Sequence, residues 1–129
     1  TLSWADEIIV MKEGKIIQQG MPQTIYHQPV NEYVAGMFGR YNLLKPSIAA
    51  LFGIGSNEDD VMVRPEQFHI STKGSGVKGI IQKISFWGSF YEAEVLVEDV
   101  RIVVRMGKND FNIEKNIYMS LYVEAVWYI

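Results

Sequence analysis

Residues 77–98 read VKGIIQKISFWGSFYEAEVLVE, and their periodicity decides the fold class. Between Ser89 and Glu98, Phe90, Glu92, Glu94 and Leu96 alternate with Tyr91, Ala93, Val95 and Val97, the period of two that sends successive side chains to opposite faces of a strand. Gly88 interrupts the aromatic run where a hairpin turn or bulge is expected. Outward from this stretch the texture persists. DVMVRPEQFHI (60–70), VRIVVRM (100–106) and NIYMSLYVEAVWYI (116–129) are rich in β-branched and aromatic residues, with turn chemistry at KGSG (73–76), Glu98–Asp99 and GKND (107–110). Short strands with no long helix between them predict a small barrel or sandwich.

Toward the N-terminus, EIIVM (7–11) and KIIQQG (15–20) flank a turn at KEG, where Gly14 is free to take positive φ. Pro22 suits a first helical position, so PQTIYHQ (22–28) predicts a short helix ending before Pro29. Asn31 is placed to cap a second helix over EYVAGMFG (32–39). From Tyr41 to Asp60, apolar bursts broken by Pro46, Gly53 and Gly55 predict strands and loops. A boundary near residue 40 therefore separates a hairpin-helix-helix segment, 1–40, from a β-rich unit, 41–129. The fold class expected is mainly β with two short helices.

With 129 residues, 48% of them hydrophobic, the chain is long enough to bury a core. A net charge of −3 provides no electrostatic footprint for duplex DNA or an anionic membrane. Zero cysteines exclude a disulfide framework and a thiolate zinc site and fit a reducing compartment. No apolar run approaches the roughly 20 residues that span a bilayer, and no signal-peptide pattern opens the chain; the expectation is a soluble chain.

Gly14–Lys15 and Gly107–Lys108 are followed by Ile16 and Asn109 instead of Ser or Thr, and neither has a glycine five residues earlier, so both read as turns and not phosphate loops. His27 and His69 stand far apart, outside any ligand spacing, and no serine lies in a Gly-x-Ser-x-Gly elbow. Glu58, Asp59 and Asp60 offer oxygen ligands to a hard cation but read first as a solvated loop before a strand. Phe86, Trp87, Phe90 and Tyr91 suit a base-stacking platform; the nearby Lys78, Lys83, Arg101 and Arg105 are interspersed with acids, which favours core packing or a protein interface. In VRPEQF (63–68), Pro65 between Arg64 and Glu66 predicts a rigid turn with an Arg–Glu ion pair.

Taken in order, WADEIIVMKEGKIIQQGMPQTIYHQPVNEYVAGMFG (4–39) closely resembles the end of the nucleotide-binding domain in the ATPase subunits of ABC importers. The likeness rests on Ala5–Asp6, the turn at Gly14, Gly20 with Pro22, Ile25–Tyr26, Pro29, Val34–Ala35–Gly36 and Phe38–Gly39. VMVRPEQFHI (61–70), with Arg64, Pro65 and Glu66, and GIIQKISFWGSFYEAEVLV (79–97) resemble the regulatory extension of that family, the OB-like TOBE barrel. The family's phosphate loop, signature sequence, catalytic Glu and switch His precede the hairpin, and Thr1–Trp4 resembles the tail of the segment after the switch His. The resemblance thus implies a C-terminal piece: an α/β ATPase remnant over 1–40 and a TOBE-type domain over 41–129.

It further implies a parent that binds ATP and Mg, while this chain holds neither cofactor nor metal, has no catalytic residue and is inactive alone. The parent would couple hydrolysis to solute uptake with permease subunits, in the cytoplasm on the inner face of the cell membrane. The β domain would hold a homodimer together, with Phe86, Trp87, Phe90, Tyr91 and Trp127 as the dimer or regulatory surface and Arg64 and Glu66 as a regulatory turn. The hairpin strands, without their parent sheet, are expected to pair with the barrel or another chain, or to lack order. Two other readings remain beside this one: an OB-type module for single-stranded nucleic acid, though no nucleic-acid partner is expected at this charge, and a small-oxyanion sensor using Arg64, Lys73 or Lys78. Iron, polyamine, sulfate and sugar are all compatible as transported solute.

Overall fold

The computed structural model describes residues 7–54, 59–74, 76–108, 111–121 and 127–129. The expectations for Thr1–Trp4 and Ala5–Asp6, for Glu58 in the carboxylate run and for Ser75 and residues 122–126 lie outside the described residues.

Strands β1 (Ile8–Lys12) and β2 (Lys15–Gly20) form an antiparallel hairpin in which Lys12 faces Lys15. Glu13 and Gly14 close it at φ 53° and 76°; positive φ at both positions matches the right-handed twist of the flanking strands. Helix α1 (Pro22–His27) carries its proline in the first turn, and α2 (Glu32–Met37) is capped by Asn31, whose Oδ1 accepts from the Val34 amide at 3.0 Å. These helices cover the hairpin. Val10, Ile25 and Val34 form a buried cluster with Ile8, Ile17 and Phe38 against it, so one face of the hairpin finds cover in its own segment while Ile9, Met11 and Ile16 stay exposed.

Strand β3 (Asn42–Leu44) is followed by α3 (Pro46–Leu51), a third helix where strand and loop were expected. Pro46 presets the helical φ in the first turn, Ala49 and Ala50 favour the helix, and Ile48 and Ala49 are buried in the core. Then come β4 (Val61–Val63), the 3-10 turn η1 (Pro65–Gln67), β5 (Phe68–Ser71), β6 (Val77–Phe86), β7 (Tyr91–Val97), β8 (Val100–Met106), β9 (Asn116–Leu121) and β10 (Trp127–Tyr128).

Two further sheets result, β10-β4-β3 and β5-β9-β6-β7-β8, antiparallel throughout. They enclose the main core, which includes Val61, Val63, Ile81, Val95, Ile102, Ile117 and Met119. Gly79 is required where β6 meets β7, since a Cβ there would lie 2.6 Å from Val95 Cγ1. The OB-like barrel is therefore not closed. Edge strands β5 and β8 approach within 8 Å at Cα, but among the described residues neither hydrogen-bonds the other as a ladder.

Candidate functional site

Arg64 follows directly on the buried strand β4 and has 0% of its surface exposed. Its guanidinium leaves the main core and enters the helical layer. Nε and Nη2 donate to the Tyr26 carbonyl at 3.1 and 2.9 Å, and Nη1 donates to the carbonyls of Ala35, Gly39 and Arg40 at 3.0, 3.2 and 3.2 Å. These oxygens lie toward the C-terminal ends of α1 and α2, where helices present unsatisfied acceptors and partial negative charge. The guanidinium also stacks on the Tyr26 ring, 4.1 Å from its centroid. Burial pulls the Arg64 pKa below its ordinary value, opposed by Tyr26, Glu66 and Tyr41.

Pro65 opens η1 and turns Glu66 back toward the same helix, where its carboxylate accepts from the Tyr26 hydroxyl. Burial first, then this hydrogen bond, pushes Tyr26 up to about 12. The Arg64–Glu66 ion pair expected from the sequence does not form; each residue is occupied with α1 and its surroundings instead. Gln67 locks the turn by accepting from the Arg64 amide at 2.7 Å. With each of its three guanidinium nitrogens donating to backbone carbonyls and the residue fully buried, Arg64 is not placed to take an anion, and the oxyanion reading loses its principal cation; Lys73 and Lys78 are exposed.

Other polar contacts complete the junction. Arg40 pairs with Glu92 at 2.7 Å, placing on β7 a carboxylate only 5% exposed. Trp127 Nε1 donates to the Pro29 carbonyl at 2.8 Å, tying β10 to the loop between the helices. Gln18 bridges the Gln28 carbonyl and the Val30 amide. Sequence reasoning missed Tyr26, Arg40 and Glu92. For Arg64 a signal existed, a cation abutting the apolar strand VMV; for Glu92, alternation indicated the face but not that Arg40 would cover it.

The expected aromatic surface divides. Phe86 and Tyr91 are cross-strand partners with ring centroids 4.9 Å apart, lining a shallow cleft with Ile84, Phe111 and Ile113. Trp87 and Phe86 are exposed at the hairpin end, closed by the Trp87 amide donating to the Phe90 carbonyl at 2.9 Å. Phe90 instead lies under the Arg105 guanidinium at 4.1 Å, and Trp127 belongs to the junction. Phe86 and Tyr91 are thus together, while Phe90 lies under Arg105 and Trp127 belongs to the junction, which breaks up the four-ring stacking platform.

A phosphate loop needs a strand, a glycine-rich loop and a helix, whereas Gly14–Lys15 occupies a tight turn between two strands. Asp60 pairs with Lys45 at 3.0 Å, and no cluster of three metal-ligating side chains occurs among the described residues. No helix among them is long and apolar enough to cross a membrane.

Residues 61–124 match the family model described as TOBE domain. The chain is 36% identical over 106 residues to the sulfate/thiosulfate import ATP-binding protein CysA of Synechocystis sp., covering 74% of this chain and 30% of that protein. It is 34% identical over 107 residues to the spermidine/putrescine import ATP-binding protein PotA of onion yellows phytoplasma, covering 70% and 26%. A third relative, PotA of Malacoplasma penetrans, is 32% identical over 138 residues, covering 92% and 23%. The similarity lies in the C-terminal regions of these ATP-binding proteins, and the chain spans less than a third of their length.

Proposed function

Residues 61–124 belong to the TOBE domain family, and from that premise we propose that the chain is the regulatory and dimerisation region of the ATP-binding subunit of an ABC importer. In this reading residues 1–40 complete a nucleotide-binding domain and residues 41–129 form the regulatory domain. ATP and Mg are held elsewhere in the parent, which works with permease subunits at the inner face of the membrane and energises uptake.

The observation that carries the reading is the seating of Arg64. A side chain from the TOBE-matched segment is buried among carbonyls of the segment that resembles the end of the nucleotide domain. Such a bolt makes the two layers move together, as a regulatory extension on an ATPase requires. The exposed Phe86, with Tyr91 beside it, and the exposed Trp87 supply an apolar centre for a self-complementary contact.

Sedimentation of the chain tests the dimer: a concentration-dependent monomer–dimer equilibrium is expected, shifted to monomer by Phe86→Ser with Trp87→Ser. A single compact monomer at every concentration refutes self-association. Replacing the matching C-terminal region of a PotA-type subunit with residues 7–129 tests the regulatory role. Retained ATP-dependent uptake, lost on Arg64→Leu in the chimera, is expected; uptake indifferent to Arg64 refutes the coupling.

A further inference from the structure

The segment 39–42, which leads from α2 into β3, is held at every residue. Gly39 takes φ 135°, a conformation that favours glycine, and turns the chain out of α2. The carbonyls of Gly39 and Arg40 accept from Arg64 Nη1, both at 3.2 Å. From there the side chains alternate, as in an extended segment. Arg40 reaches Glu92 on β7 at 2.7 Å, Tyr41 turns back to α2 and donates to Glu32 at 2.8 Å, and Asn42 reaches β8.

The Asn42 contact has the form of a strand pairing. Its carboxamide donates to the Val103 carbonyl and accepts from the Val103 amide, both at 2.8 Å, the same exchange of two bonds that opposed residues of an antiparallel ladder make. Strand β8 has a hydrogen-bonded neighbour strand on one side alone, β7. The buried side chain of Asn42 therefore occupies backbone groups that a further strand would otherwise take. Between the Arg40 carbonyl and Asn42 lies a single residue, which spans at most about 3.6 Å. With so little slack, the end of α2 cannot shift without pulling on the clamp at Val103.

A cap for the edge of β8 needs Asn42 alone, whereas here its neighbours grip the helical layer and the buried carboxylate of β7 as well. We propose that residues 39–42 are a strap that couples α2 to β7 and β8, so that release of the Asn42 clamp and opening of α2 are one event. Its regulatory use rests on the reading given above: α2 closes the segment that resembles the nucleotide domain, and the strap carries a displacement there into the β sheet. On β7, Glu92 adjoins Tyr91, the cross-strand partner of Phe86, so the far end of the strap lies beside the surface proposed for self-association.

Native-state hydrogen exchange read by NMR tests the strap. The Val103 amide reports the clamp directly, and the Ala35 amide, which donates to the Asn31 carbonyl at 3.0 Å, reports α2. In the unsubstituted chain the two should share one opening, with the same dependence on urea. Asn42→Asp keeps the acceptor for the Val103 amide and loses the donor to its carbonyl, a milder change than Asn42→Leu, which loses both. Either should speed exchange at Val103 and at Ala35 by about tenfold. In the reverse direction Asn31→Ala removes the cap of α2, far from β8 in the hydrogen-bond network. Because coupling is reciprocal, it should speed exchange at Val103 by about threefold. Faster exchange at Val103 alone when Asn42 is changed, which means a local edge cap, overturns the proposal. So does an Asn31→Ala chain in which Val103 is unmoved, or separate openings of Val103 and Ala35 in the unsubstituted chain. Uncoupled exchange with uptake still dependent on Arg64 in the chimera removes the strap and leaves the regulatory reading; coupled exchange with uptake indifferent to Arg64 does the reverse.

Discussion

Replacing Arg64 with leucine keeps an apolar stem of similar reach in a fully buried position and removes the fork that joins the two layers. Four backbone carbonyls, those of Tyr26, Ala35, Gly39 and Arg40, lose their side-chain donor. At roughly 1 kcal/mol for each carbonyl that loses its donor the loss comes to about 4 kcal/mol. Relief of the buried charge offsets part of it, so the expected destabilisation is about 3 kcal/mol, a large share of a small domain's stability. Lysine retains charge and three donors but not the planar geometry, and about half the loss should remain. Urea titration followed by tryptophan fluorescence gives the global figure. Native-state hydrogen exchange localises it: amides in 22–40 should lose about a hundredfold in protection, while those of β6 and β7 change less. An effect of Arg64→Leu below about 1 kcal/mol, or protection lost equally in all strands, refutes the assignment of Arg64 as the bolt.

Tyr26 gives a pH signature. Its pKa is raised from 10.0 to about 12 by burial and by Glu66, so the stability it contributes is complete below pH 10 and is lost as pH rises through 12; urea midpoints should fall across that window, and Tyr26→Phe should flatten the fall. At neutral pH the same substitution leaves Glu66 without its one hydrogen-bond donor and should cost about 1–2 kcal/mol in urea unfolding. Arg40→Ala uncovers the buried carboxylate of Glu92; because Arg40 itself is half exposed, a loss of about 1–2 kcal/mol is expected, with Glu92→Gln partly restoring stability in the double variant. Gly79→Ala drives a methyl group into Val95 and should cost about 1–3 kcal/mol, read as a lowered melting temperature.

The sequence by itself determined what is local. Alternation through Tyr91–Val97, the turn at Gly14, the Asn31 cap and the placement of Pro22 each act within a few residues, and each is where its chemistry requires. The match of residues 61–124 to the TOBE domain was likewise legible, carried by residues contiguous in the chain. Helix α3 escaped because its six residues are too few for a periodic signal, and burial of Ile48 and Ala49 against distant strands stabilises it. What only the tertiary structure decided depends on distance across the chain. Arg64 and Glu66 are neighbours that predict a mutual ion pair, yet the carbonyls they could serve come from residues 26–40, and a fork of donors is better satisfied by several fixed dipoles than by one adjacent carboxylate. The rings of SFWGSFY looked like one surface; strand pairing sent Phe90 under Arg105 and left Phe86 beside Tyr91. Whether a β-rich chain closes into a barrel is also settled at long range, by whether its first and last edges meet in register, and here β5 and β8 come near without pairing.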